Sequence, residues 1–107
     1  MRSSLVAFGI AALVALVGTR DAHAETSYVV KVTGTTITVT PRAGWHINEE
    51  FPWKLTAPGR PPVDRSKFTF TEVEAVLRDA PTGVGTLKGA VCSADKCEPF
   101  AVQVTVP

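Results

Sequence analysis

From Ser27 onward, apolar side chains recur mostly at every second position, the period of strands that bury one face. Ser27–Val32 reads SYVVKV, and Thr36–Thr40 reads TITVT, with Ile37 and Val39 on one face and Thr36, Thr38 and Thr40 on the other. β-Branched residues in alternation on both sides of Thr33-Gly34-Thr35 predict two strands joined by a tight turn at Gly34. Pro41 to Gly44 interrupts the pattern, and Trp45-His46-Ile47 opens a segment that runs through Phe51-Pro52-Trp53-Lys54-Leu55. Pro52 lacks a donor, so this segment is expected to be an edge strand or two short strands. Ala57-Pro58-Gly59-Arg60-Pro61-Pro62 cannot sustain a ladder and is expected to be a surface loop.

Lys67–Thr71 (KFTFT) alternates again, with Phe68 and Phe70 facing inward. Val73–Leu77 offers a further apolar strand before the turn Ala80-Pro81-Thr82-Gly83, although Glu, Ala and Leu also allow a helix over Glu72–Asp79. Gly85–Val106 (GTLKGAVCSADKCEPFAVQVTV) reads as a hairpin, its return arm alternating cleanly from Val102. About seven short strands with frequent turn signals predict an all-β fold, a small β-sandwich.

The first residues have a different character. Met1 and Arg2 precede an apolar stretch, Leu5–Val17, which is shorter than the roughly 18 residues of a spanning helix. Ala22-His23-Ala24 follows as an A-x-A cleavage site, so residues 1–24 are expected to be a cleaved signal peptide and residues 25–107 one exported domain, periplasmic or secreted. An uncleaved N-terminal anchor is the alternative. After cleavage no stable membrane insertion is expected, and position 25 is not a cysteine that could take a lipid. Removing Arg2, Arg20 and Asp21 from 11 basic and 10 acidic residues leaves no excess of either sign. The domain therefore lacks the electrostatic footprint of a nucleic-acid binder.

Export places the two cysteines, Cys92 and Cys97, in a disulfide-permissive compartment. If Ala94 and Asp95 form a two-residue turn, Cys92 faces Cys97 in a non-hydrogen-bonded pair, where Cα atoms lie about 4.5 Å apart, within the roughly 4.4 to 6.8 Å a disulfide tolerates. Ala-Asp is a poor type I′ sequence, so a looser loop over Ser93–Lys96 competes; the cysteines remain neighbours in either case. The ring such a bond closes is small, and the bond is expected to contribute only about 2 kcal/mol. That is compatible with thiol exchange at an exposed tip, but also with an inert structural bridge. Lys96 would favour a Cys97 thiolate, while Asp95 and Glu98 oppose it.

Other chemistry has little support. Cys92, Cys97 and His46 give three candidate zinc ligands where a structural site wants four, so no metal is expected, and no cofactor motif is present. Any Ser-His-Asp or Cys-His site would have to use His46. Glu49 and Glu50 are adjacent and read as a solvated turn. Trp45, Phe51 and Trp53 could stack on a ligand, but in a small sandwich aromatic residues more often fill the core; the sequence leaves open whether Trp45 and Trp53 are core or docking surface.

Two segments, Gly44-Trp45-His46-Ile47 and Gly89-Ala90-Val91-Cys92-Ser93-Ala94-Asp95-Lys96-Cys97, the second followed by Glu98-Pro99, resemble the N-terminal periplasmic domain of the thiol:disulfide interchange protein DsbD and its relatives. The resemblance implies an immunoglobulin-like sandwich. It further implies that Cys92 and Cys97 are the catalytic, exchanging pair, taking electrons from a membrane reductase and passing them to other exported thiol-disulfide proteins. Some members have five residues between the cysteines and a double proline after them, where this chain has four residues and Pro99 alone. The membrane reductase domain is absent from this sequence, so the donor would be a separate protein. Two readings stand after the sequence: a thiol-disulfide exchange module, and an immunoglobulin-like binding or structural module with an inert bridge.

Overall fold

In the computed structural model, which describes residues 26–107, the arms around Gly34 form an antiparallel hairpin of β1 (Tyr28–Thr33) and β2 (Thr36–Pro41). Thr33 pairs with Thr36, so Gly34 and Thr35 are the two turn residues. Gly34 has φ 59°, the positive value that a II′ hairpin turn needs at its first central position. Ile37 and Val39 of β2 point into the core, as their alternation predicts. The expected signal peptide lies outside the described residues.

Pro52 divides the next segment into two short strands, β3 (His46–Ile47) and β4 (Lys54–Thr56). Both pair with the same side of one long strand, β8 (Gly83–Cys92). β4 lies between β8 and β5 (Val63–Asp64), so of the two expectations for this segment the split into short strands holds and the edge placement does not. The proline-rich stretch between β4 and β5 is an exposed loop. A 3₁₀ turn over Arg65–Lys67 follows, capped by the Asp64 carboxylate, which accepts from the Ser66 amide at 3.0 Å. β6 (Phe68–Thr71) and β7 (Glu74–Leu77) form the next hairpin. Extended backbone wins over the helical alternative here because Ala75, Val76 and Leu77 are all buried, and β7 has a partner on each side, β2 and β6. β9 (Cys97–Val106) pairs with β8 along its full length.

The described residues form nine strands in two antiparallel sheets, where the sequence suggested about seven. The surplus comes from β3 and β5, each two residues long and too short to show a period. One sheet has the order β1-β2-β7-β6 and the other β9-β8-β4-β5, with β3 also on β8. Read in chain order as A to G, these are A-B-E-D and G-F-C-C′, the immunoglobulin-like arrangement. Cross-connections identify the ends of the sandwich. The Ala80 amide donates to the Thr35 carbonyl at one end, and the Ile47 amide to the Glu72 carbonyl at the other. The second end therefore gathers the β2–β3, β6–β7 and β8–β9 connections.

Trp53, immediately before β4, is 1% exposed and organises the core. Its ring lies edge-on to Phe70 and Phe100 and tilted against Phe68, and its indole N–H donates to the Asn48 carbonyl at 2.7 Å. A Cβ at Gly89 would come within 2.4 Å of that ring, so glycine on β8 makes room for the indole. Trp45 is half-buried and packs against the same core. This answers the question the sequence left open: Trp53 is core, and Trp45 is a partly covered flank of it.

Candidate functional site

The alternation of β8 puts Leu87 and Val91 on the inner face, with Gly89 between them under Trp53. Cys92 therefore lies on the opposite, outer face. It pairs in register with Cys97, and the two are joined by a disulfide with Cα atoms 3.9 Å apart. The site is the one the spacing indicated, a bond across the mouth of the β8–β9 turn.

The turn takes the looser of the two expected forms. Neither Ala94 nor Asp95 has positive φ, which excludes type I′. The Ser93 amide donates to the Lys96 carbonyl at 2.7 Å, and the Ser93 hydroxyl accepts from the amides of Asp95 (3.2 Å) and Lys96 (3.3 Å). The serine hydroxyl thus satisfies the Lys96 donor that a two-residue turn would have paired with the Ser93 carbonyl, and the Asp95 donor besides. Sequence reading missed this role, although serine directly after the first cysteine was the available signal.

The two sulfur-bearing residues differ in access. Cys92 is 7% exposed, whereas Cys97 is exposed at the start of the edge strand β9. A second thiol approaching from solvent meets Cys97. Charge near it is not positive: the Lys96 ammonium lies 3.3 Å from the Glu98 carboxylate, in an exposed pair of little energetic weight, and Asp95 adds a second acid. Glu98 also accepts from the Ser27 hydroxyl at 2.7 Å, which ties the start of β1 to the start of β9. The Ser27 hydroxyl first, and Lys96 second, hold the Glu98 carboxyl below its ordinary value. Tyr28, next to Ser27, and Phe100, two residues beyond Glu98, stack at 4.0 Å and pack the same junction.

His46 is the residue that sequence reasoning placed least well. It entered as part of the Gly44–Ile47 resemblance and, as chemistry, as a spare zinc ligand or triad member, yet its Cα pairs directly with that of Cys92. Directly opposed residues share a face, so His46, Cys92 and Cys97 form a row across three strands on the outer face of the sheet. Only the strand register reveals that row. Among the described residues no three His, Cys, Asp or Glu side chains cluster as a metal site would require. Glu49 and Glu50 are exposed in the β3–β4 connection, consistent with a solvated turn, and Glu50 donates its amide to Asn48 Oδ1 at 3.0 Å.

Fold and site together define a class, an all-β two-sheet domain with a disulfide-bonded cysteine pair in a hairpin. Compared with known protein families, curated proteins and solved structures, the chain finds no match.

Proposed function

We propose that this domain is an exported thiol-disulfide exchange module, periplasmic or secreted, with Cys92 and Cys97 as its redox pair. The observation that carries the reading is the unequal access of the two cysteines, one buried and one exposed, at a tip whose bond contributes little to the fold. The resemblance of the Gly44–Ile47 and Gly89–Cys97 segments to the DsbD N-terminal domain supports the same reading.

The exchange is a pair of displacements. A donor thiolate attacks Sγ of Cys97, forming a mixed disulfide while the Cys92–Cys97 bond breaks and its electron pair leaves on Cys92. The donor's second thiolate then attacks its own sulfur in the mixed disulfide and releases Cys97. The donor dithiol is oxidised to a disulfide and this pair is reduced; two protons restore the thiols. Reversal of the sequence on an oxidised exported protein passes the electrons on, with Cys97 as the attacking group. The donor by this reading is a membrane reductase.

The inert-bridge reading keeps one specific observation in its favour: Lys96 is engaged by Glu98, so no net positive charge is concentrated at Cys97. Trapping separates the two. With Cys92→Ser, Cys97 is left without its resolving partner, and exchange predicts a stable mixed disulfide with a small aromatic disulfide and with oxidised exported proteins. Cys97→Ser, which leaves only the buried Cys92, should trap poorly. Equal trapping by both variants would contradict the assigned roles.

A further inference from the structure

Five strands have a single partner and leave an edge open: β1, β6, β9, β5 and the two-residue β3. Natural sheets protect such edges with shortness, proline or charge. β5 is two residues long, follows Pro61-Pro62 and contains Asp64. β6 is four residues long, between Lys67 and Glu72, and β1 carries Lys31. β9 is different: it is ten residues long, and from Pro99 to Pro107 it contains no charged side chain.

The register of β9 identifies the groups it leaves open. Cys92 and Cys97 lie one step inside the Ser93–Lys96 hydrogen bond, so Glu98, Phe100, Val102 and Val104 face β8 with their backbone groups. Ala101, Gln103 and Thr105 turn their N–H and C=O groups outward, and among the described residues nothing accepts from or donates to them. Pro99 falls in the same outward set, where its missing N–H costs no bond to β8.

We infer that this edge pairs with a second copy of the chain, β9 against β9, antiparallel about a two-fold axis through Gln103. The sequence is self-complementary about that residue. Gln103 faces Gln103 of the copy, Ala101 faces Thr105, and each such pair exchanges two backbone hydrogen bonds. On the inner face Val102 meets Val104, and Phe100 meets Val106, apolar on apolar. Pro99 and Pro107 fall opposite each other and end the paired stretch at both sides. No like charges oppose one another anywhere along it.

The flank of the edge agrees. A groove of about 620 Å³ runs between β1 and β9, lined by Val30, Val32, Val102 and Val104. Across the two-fold axis it would face its counterpart and lose water from the half-buried Val30, Val32 and Val102. Arg42, which also lines the groove, sits toward the hairpin end, so antiparallel pairing keeps the two arginines apart.

Sedimentation of the exported domain over micromolar to millimolar concentration tests the proposal. The expected result is a reversible dimer that is lost in Gln103→Lys, which puts two ammonium groups on the axis from an exposed position. Gln103→Cys should cross-link to itself under mild oxidation while the Cys92–Cys97 bond stays intact. This second readout does not depend on how the lysine variant folds. A wild-type chain that is monomeric throughout, a dimer that survives Gln103→Lys, or an edge that captures extended peptides while the chain stays monomeric would each overturn it.

Discussion

Cys97 and Cys92 are bonded neighbours with different surroundings, and the difference predicts how each substitution behaves. The bond closes a short ring, so Cys97→Ser should lower unfolding stability by only about 2 kcal/mol in a denaturant titration, while abolishing exchange. A loss twice as large would mean that the bridge is chiefly structural. His46 is paired in register with Cys92, whose sulfur leaves during reduction, and an imidazole N–H can donate a hydrogen bond to a departing thiolate. His46→Ala should therefore slow reduction by a small dithiol severalfold with little change in melting temperature. Glu98 gives the pH dependence of the same corner. Because the Ser27 hydroxyl and Lys96 hold its carboxyl below the ordinary 4.5, its contribution is fully present above that value. It is lost as pH falls through the folded-state value. Amide protection beside the turn, corrected for the intrinsic pH dependence of exchange, should fall in that acid range and not between pH 5 and 7, and Ser27→Ala should reduce the effect. The cysteine pair was legible in the sequence because six consecutive residues fix it. His46 was not, since its position opposite Cys92 depends on pairing between distant strands.

At the level of elements, alternation identified the long strands and failed at the short ones. β1, β2 and β9 show their period over six or more residues. β3 and β5 exist only because β8 and β4 present ladders for them to join, so nothing within their two residues announces them. Trp53 could not be assigned from its neighbours, since Pro52 breaks the period just before it; its burial follows from Gly89, a residue 36 positions away that leaves room for the ring. Gly89→Ala should consequently destabilise the domain by roughly 1 to 3 kcal/mol, because its methyl group would have to displace the indole or bend β8. Gly34→Ala acts differently: the space around it is open, and only its positive φ opposes the substitution. If Gly89→Ala proved no worse than Gly34→Ala, the close packing of Trp53 on β8 would not limit stability.

As a whole molecule, the domain keeps the strand order of an immunoglobulin-like sandwich and its buried tryptophan at strand C, but places its disulfide within the F–G hairpin instead of between the sheets. The core is closed by Trp53, Leu55, Leu87, Val91 and Ile37, without a covalent link between the sheets. The bond is therefore free to break without releasing one sheet from the other, as an exchange cycle requires. The most direct measurement of this account is the reduction potential of the Cys92–Cys97 pair at equilibrium with glutathione or a dithiol buffer. Exchange predicts a value well above about −300 mV, with the reduced domain retaining its folded far-UV spectrum; a value below that line would contradict it.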